Sequence, residues 1–224
     1  AVDEMSNMVM KFDPDGRVAM LLGRKAEAES IPPRAAAGDG AGQPTDLFNR
    51  PTDVAWDAAG NIFVADGYNN SRVVKLGPDG TWQKEFGSYG SGDGQFNTVH
   101  GVKVSNDGLV YVNDRLNNRL QVFTLSGTFQ KEIFIERPTR LLGTSFNTAF
   151  SPDRDQRWLY LADAGNGRIH IFDRKSLREV GAYGRIGRYA GQFVFMHNLA
   201  TDSRGNLYVS EVGNGRRVQK LVLR

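Results

Sequence analysis

The chain has 224 residues, enough for one or two domains with a buried core. It carries 28 Lys and Arg against 25 Asp and Glu, and a net charge of +3 is too small to indicate a nucleic-acid partner by itself. A hydrophobic fraction of 40% excludes a disordered chain, the lack of any apolar run near ~20 residues excludes a membrane-spanning helix, and the lack of cysteine excludes disulfides and thiolate metal sites.

The predicted elements repeat along the chain. Residues 1–23 predict a partial blade of short strands, and we expect the residues that complete it to lie upstream of this sequence. Residues 24–46, rich in Ala, Gly and Pro, predict a surface loop. Four fuller copies follow, at about 51–87, 98–134, 146–184 and 195–224.

Each fuller copy contains the same polar turn between two apolar runs. An acidic residue opens the turn, and an arginine follows five or six places later. The acids lie 48, 49 and 48 residues apart, and we expect each to pair with its arginine across the turn and hold the blade together. The pairs are Asp66 and Arg72, Asp114 and Arg119, Asp163 and Arg168, and Glu211 and Arg216.

Apolar residues alternate with a period of two on both sides of these turns, and helical periodicity is nearly absent. The fold class is therefore all-β, and copies of this length with several strands each are typical of β-propeller blades. We expect residues 1–224 to form a single, incomplete domain of a propeller that has six blades when whole. His170 lies in the middle of a predicted strand, where we expect a surface or inter-blade side chain.

The placement of two histidines is the strongest functional signal. His100 lies 14 residues before Asp114 and His197 lies 14 before Glu211, so both occupy the start of the innermost strand in alternate blades. In a six-bladed ring, alternate blades form a three-fold set around the central channel, and the third member would lie upstream of Ala1. Three imidazoles with an open fourth position suit a catalytic zinc. The alternative is that both histidines are inherited turn residues with backbone partners.

The polar turns and the loops between copies, such as Gly92-Asp-Gly-Gln-Phe96, resemble NHL repeats over nearly the whole chain. Among NHL-repeat proteins the chain resembles the peptidyl-α-hydroxyglycine α-amidating lyases, six-bladed propellers that convert a peptidyl-α-hydroxyglycine into a peptide amide and glyoxylate. The segments that carry this resemblance are Arg50-Pro-Thr-Asp-Val54, Val64-Ala-Asp-Gly-Tyr-Asn-Asn-Ser-Arg72, Gln95-Phe-Asn-Thr-Val-His100 and Phe195-Met-His-Asn198.

The resemblance implies a zinc-dependent carbon–nitrogen lyase. His100 and His197 match two of the family's zinc ligands, and Tyr68 matches its proposed catalytic base. Arg72 and Met196 are expected to contact the substrate. Zinc would lower the pKa of the substrate hydroxyl, and a tyrosine beside the metal could then take the proton.

Further expectations come with the same resemblance. It implies a structural calcium, at a place where Asn198 stands for the family's aspartate. It also implies a small peptide-like substrate in the central channel, a monomer that does not bind membranes, and a secreted or periplasmic location.

A second class of function is a non-catalytic NHL propeller that binds a protein, a glycan or RNA on one face. Acidic residues are interleaved with the basic ones, which favours a solvated face over a nucleic-acid platform. An RNA platform also gives no reason for histidines in alternate blades, so that pattern discriminates between the two classes.

Overall fold

The computed structural model describes residues 1–24 and 48–222. They form five antiparallel sheets that follow one another as the blades of an all-β propeller, with one short parallel ladder between the second and third blades. The predicted loop at 24–46 lies, apart from Arg24, outside the described residues. Within these two ranges no helix is long and apolar enough to cross a membrane.

The strands follow chain order within each blade. Blade 1 contains β1 (Val2–Asp3), β2 (Met8–Phe12) and β3 (Val18–Gly23); blade 2 contains β4 (Asp53–Trp56), β5 (Ile62–Asp66), β6 (Arg72–Leu76) and β7 (Trp82–Phe86). The parallel ladder joins β8 (Ser88–Tyr89) to β9 (Gln95–Phe96). Blade 3 contains β10 (Val99–Val104), β11 (Leu109–Asp114), β12 (Arg119–Thr124) and β13 (Phe129–Phe134); blade 4 contains β14 (Ser145–Phe150), β15 (Trp158–Asp163), β16 (Arg168–Asp173) and β17 (Arg178–Tyr183). Blade 5 contains β18 (Met196–Thr201), β19 (Leu207–Glu211) and β20 (Arg217–Leu221).

The innermost strands β4, β10, β14 and β18 are neighbours around the central channel. The described residues form five blades where six are expected, and blades 1 and 5 each have three strands. Asp3 ends β1 as Asp66 ends β5, so β1 corresponds to a second strand. Within the described ranges blade 1 therefore has no innermost strand.

The hydrophobic core lies between blades, because the second and third strands of a blade are buried on both faces. In β5 all five residues are buried, with Phe63 facing one neighbouring blade and Val64 the other. Phe96 and Phe193 enter the cores from the connections ahead of blades 3 and 5, and both are fully buried. Burial of a side chain this large stabilises a fold by about 1.5–3 kcal/mol.

The polar turns of blades 2 and 3 are built around buried ion pairs. Arg119 donates to Asp114 at 2.7 Å and to Glu132 on the outermost strand at 2.9 Å. Arg72 makes the same two contacts, with Asp66 at 3.0 Å and with the outer-strand Glu85 at 2.6 Å. In each blade one guanidinium therefore joins the second, third and fourth strands.

In blades 4 and 5 the predicted arginines do not make this contact. Arg168 is exposed and lies 3.6 Å from Glu136, while Arg216 is exposed and donates to the carbonyl of Gly213. In blade 5 the next residue, Arg217, pairs with Glu211 at 2.5 Å. The sequence did not decide between Arg216 and Arg217, since the arginine follows the acid by five places in some copies and by six in another.

In blade 4 the cation position belongs to His170, which is 2% exposed. Its Nε2 lies 3.3 Å from Asp163 Oδ2 and its Nδ1 lies 3.0 Å from Glu179 Oε1 on the outermost strand. His170 therefore replaces the arginine that joins three strands in blades 2 and 3. Burial lowers the pKa of His170, but the hydrogen bonds and charges of the two carboxylates outweigh it and raise the pKa above 6.5.

Blade 4 is therefore expected to lose stability as the pH rises. Because the pKa of His170 is higher in the folded chain than in the unfolded one, its contribution to the free energy of unfolding is fully present below about pH 6.5. It is lost as the pH rises through the folded-state pKa. Urea unfolding should show a larger stability difference between wild type and His170→Gln at pH 6 than at pH 9. His170→Arg, which copies blades 2 and 3, should show no such pH dependence, and an equal loss for His170→Gln at both pH values would contradict the assignment.

Candidate functional site

Three side chains predicted to act together meet at one point at the mouth of the channel. The phenol oxygen of Tyr68, from blade 2, lies 3.0 Å from Nε2 of His100 in blade 3 and 3.4 Å from Nε2 of His197 in blade 5. The two imidazole rings are 4.6 Å apart between centroids. Residues separated by up to 129 positions thus place two ring nitrogens and one hydroxyl around a common centre.

A β-bulge at the start of β10 and of β18 sets the direction of the two histidines. The register shifts between Val99 and Gly101, with His100 as the extra residue, and it shifts in the same way at His197. Bulges leave one residue unpaired and re-aim its side chain, and they are common beside active sites. Blade 4 has the same bulge at Phe146, whose ring lies 4.8 Å from the His100 ring and 6.0 Å from the His197 ring.

The acids of the polar turns fix the position of these bulges. Asp114 Oδ1 accepts a hydrogen bond of 2.7 Å from the backbone N–H of Asn97, three residues before His100. Glu211 Oε2 accepts one of 2.6 Å from Val194, three residues before His197. The repeat that builds each blade therefore also holds the chain that carries its histidine.

Tyr68 reaches the centre because Gly67 brings its turn against the innermost strand of blade 3. A Cβ on Gly67 would stand 1.7 Å from the carbonyl oxygen of Val99, so only glycine allows this approach. The N–H of Tyr68 donates to the carbonyl of Arg50 at 3.3 Å, and the Arg50 guanidinium lies 5.5 Å from the centroid of the tyrosine ring.

The environment keeps both imidazoles neutral. Burial, the neighbouring His197 and the positive charge of Arg115 hold the pKa of His100 well below 6.5. Burial and Arg115 also lower the pKa of His197. The Arg115 guanidinium stands 4.4 Å from the centroid of the Phe146 ring, which separates it from the histidines.

A backbone hydrogen bond defines the tautomer of His100. Its Nδ1 lies 2.7 Å from the carbonyl oxygen of Phe146, which can only accept, so Nδ1 carries the proton. The lone pair of Nε2 then points at the centre, where it accepts from the Tyr68 hydroxyl. A neutral imidazole fixed by a carbonyl through its other nitrogen is the usual arrangement of a metal-ligating histidine.

The Nε2 atoms of His100 and His197 are of the kind of nitrogen ligand that Zn²⁺ accepts. Across residues 1–24 and 48–222 there is no group of three or more His, Asp or Glu side chains that could hold a metal ion.

Below the histidines, a charged cluster joins three innermost strands. Asp53 Oδ2 in blade 2 accepts from the ammonium of Lys103 in blade 3 at 2.6 Å and from the side-chain amide of Asn147 in blade 4 at 3.0 Å. The backbone N–H of Val102 donates to the same oxygen at 3.1 Å. This cluster fixes blades 2, 3 and 4 relative to one another. The repeat along the sequence did not predict it.

Two predicted substrate contacts lie elsewhere. Met196 is fully buried in the core between blades 4 and 5, because it points to the opposite side of β18 from His197. The guanidinium of Arg72 is buried in the turn of blade 2 with Asp66 and Glu85. Neither placement supports the expected contact with a substrate in the channel.

Sequence reasoning missed Phe146 and Arg115. A longer turn in blade 4 moves Phe146 away from the spacing of 14 that identified the histidines. Arg115 directly follows Asp114, at a place that the other copies fill with different residues, so no repeat indicated it.

Comparison with known proteins agrees with this architecture. The model of the NHL repeat family matches residues 48–76 and 96–123. Two solved structures share the fold: a protein of unknown function from Bacteroides caccae, with a TM-score of 0.60 and 16% identity over 95% of this chain and 66% of that one, and a chain of a nidogen/laminin complex, with a TM-score of 0.54 and 18% identity over 73% and 56%.

Sequence relatives include amidating enzymes. Peptidyl-alpha-hydroxyglycine alpha-amidating lyase 1 of Drosophila melanogaster is 30% identical over 99% of this chain and 42% of its own length. Peptidyl-glycine alpha-amidating monooxygenase B of Xenopus laevis is 42% identical over 38% of this chain and 11% of its own length. Human NHL repeat-containing protein 3 is 29% identical over 78% of this chain and 50% of its own length. The chain thus spans half or less of each of these relatives.

Proposed function

Because this chain is an NHL-repeat β-propeller that resembles the peptidyl-α-hydroxyglycine α-amidating lyases, we propose that it is a metal-dependent carbon–nitrogen lyase of that kind. Its substrate would be a small peptide-like molecule ending in α-hydroxyglycine, bound in the mouth of the channel. The products would be a peptide amide and glyoxylate.

One observation carries this proposal: Tyr68, His100 and His197 converge from three blades on a common centre. A binding module gives no reason for two neutral imidazoles to face a phenol across 3.0 and 3.4 Å. A lyase does, since its reaction requires the transfer of one proton from a hydroxyl to an amide nitrogen.

The side chains would divide the chemistry as follows. The Tyr68 phenol would first release its own proton to solvent, and its phenolate oxygen would then take the proton of the substrate hydroxyl as the C–O single bond becomes the carbonyl of glyoxylate. The C–N bond breaks, its electron pair stays on nitrogen, and that nitrogen takes up one proton to form the amide. The Arg115 guanidinium lies 4.4 Å from the centroid of the Phe146 ring, and the Arg50 guanidinium, paired with Glu4, lies 5.5 Å from that of Tyr68. Their positive charges would favour the negative charge that develops on oxygen.

His100 and His197 would hold the zinc through Nε2. When bound, zinc supplies a positive charge that lowers the pKa of the substrate hydroxyl and polarises the adjacent carbonyl. The placement of the two histidines on equivalent bulges of blades 3 and 5 supports a shared role as ligands. A structural calcium, a monomeric state and a secreted or periplasmic location are the further proposals that accompany this function.

Metal binding is the first test. We expect the full chain to bind Zn²⁺ on titration, and His197→Ala to weaken this binding by more than about 100-fold without loss of the β-sheet signal in circular dichroism. The matched control is His170→Arg, which alters a buried histidine away from the centre and should leave zinc binding unchanged. Release of glyoxylate from an N-acylated α-hydroxyglycine peptide should follow zinc content. If neither zinc nor another transition metal binds, the lyase proposal fails and a binding propeller is the better account.

A further inference from the structure

The connection between blades 3 and 4 has a different construction from its two counterparts. The connections before blades 3 and 5 end in a buried phenylalanine, Phe96 or Phe193, and their carbonyls accept from Arg119 or Arg217. Residues 135–144 lack both features. Instead Leu141 is 94% exposed and Leu142 is 40% exposed.

This connection is held against the candidate site. The Nε of Arg115 donates to the carbonyl of Leu142 at 2.6 Å. Gly143 packs so closely that a Cβ would stand 2.2 Å from the carbonyl oxygen of Arg115. The same guanidinium lies on the Phe146 ring, which contacts His100. Three contacts, through Arg115 and Phe146, therefore connect the backbone of Leu142 to the His100 ring.

The backbone at Leu141 is strained, with φ of +67°. A left-handed conformation is unfavourable for a branched residue of this size, and it persists only where the surroundings impose it. Asn118 supplies one such constraint, because its side-chain amide donates to the carbonyl of Thr139 at 2.8 Å. A strained backbone that exposes an apolar side chain beside a reaction centre indicates a contact made with a ligand.

We infer that Leu141 and Leu142 bind the apolar side chains that precede the reacting group of the substrate. This inference rests on the proposed function, and it makes apolar peptides the preferred substrate class. An extended peptide advances about 3.3–3.6 Å per residue, so the residues that precede its reacting group are the ones that would reach the leucines. Phe195, beside His197 at 6.2 Å between centroids, continues the apolar wall around the centre.

The test compares two substrates, N-acetyl-Phe-Phe-α-hydroxyglycine and N-acetyl-Ser-Ser-α-hydroxyglycine. We expect the variant Leu141→Ser/Leu142→Ser to raise KM for the Phe-Phe substrate about tenfold with kcat unchanged, and to leave the Ser-Ser substrate within twofold. The matched control is Val18→Ser/Val180→Ser, which removes two exposed apolar side chains from the outermost strands β3 and β17 and should change neither KM. An unchanged KM, or an equal rise for both substrates, would overturn the inference.

A binding measurement separates this inference from the reaction itself. In a chain with labelled leucine methyl groups, titration with the unreactive N-acetyl-Phe-Phe-Gly should shift the NMR signals of Leu141 and Leu142, whereas N-acetyl-Ser-Ser-Gly should not. Such shifts in a chain that releases no glyoxylate would uphold the apolar contact and remove the proposed reaction. Absence of shifts with both peptides would overturn the contact whatever the turnover.

Discussion

Replacing Tyr68 with phenylalanine should lower kcat by about 10²- to 10⁴-fold, the usual contribution of a positioned general base. The phenol oxygen lies 3.0 Å from His100 Nε2 and 3.4 Å from His197 Nε2, so it is placed to take the proton of a substrate held between the two histidines. The ring of the variant still fills the space beside His100, so zinc binding and the unfolding midpoint should stay close to wild type. Glyoxylate release under single-turnover conditions measures the chemical step.

The control for this experiment is Tyr89→Phe, which removes a hydroxyl from an exposed tyrosine in the connection before blade 3. It should turn over normally. Normal turnover of Tyr68→Phe would remove the phenol from the chemistry and leave it as a ring that packs at the rim. A variant that lost zinc as well would show that the tyrosine acts on the metal site and not on the proton.

Replacing Arg119 with methionine should destabilise the chain by about 3–5 kcal/mol at pH 8, because it leaves the buried carboxylate of Asp114 without its cation. Arg119 is 2% exposed, Asp114 is fully buried, and the guanidinium also donates to the carbonyls of Gly92 and Gln95. Asp114 holds the N–H of Asn97, so the variant should loosen the strand that carries the first histidine. Urea unfolding measures the loss.

The matched control is Arg168→Met, which removes the arginine of the equivalent turn in blade 4. That side chain is half-exposed and lies 3.6 Å from Glu136, so we expect a change within about 0.5 kcal/mol. Burial raises the pKa of Asp114 to about 6, so the ionised form costs free energy that appears as the pH rises through that value. The loss in Arg119→Met should therefore be smaller at pH 5 than at pH 8. Equal effects of both variants would show that the pair does not hold the blade.

The repeat predicted the blades well because each one needs the same local features. Strands that are buried on both faces, such as β5 and β11, have apolar runs that end at an acidic residue, and these positions recur at nearly constant spacing. The same regularity located His100 and His197, since the bulges of blades 3 and 5 both lie 14 residues before the acid of the turn.

One contact within blade 4 and the contacts between blades were not predictable in this way. In blade 4, His170 lies two residues after Arg168, the arginine that the repeat predicts to pair with the acid. That His170 takes this role is visible only in the structure, where Asp163 and Glu179 face it. Asp53 and Lys103 lie on different innermost strands, and no motif links them. The spacing of the repeat predicts contacts within one blade, whereas ion pairs around the channel form only where neighbouring blades pack against each other.

The contacts within and between blades join residues at very different separations along the chain, and this affects the order of folding. Within a blade, the Arg119 guanidinium reaches carbonyls at most 28 residues away, so each blade can close early from nearby segments. The Asp53–Asn147 bond spans 94 residues and the Tyr68–His197 contact spans 129. Loop-closure entropy grows with such separations, so we expect the reaction centre to be the last part of the chain to assemble. A nascent or partly unfolded chain would then carry finished blades without the candidate centre, so any function of that centre would begin only after the blades have packed together.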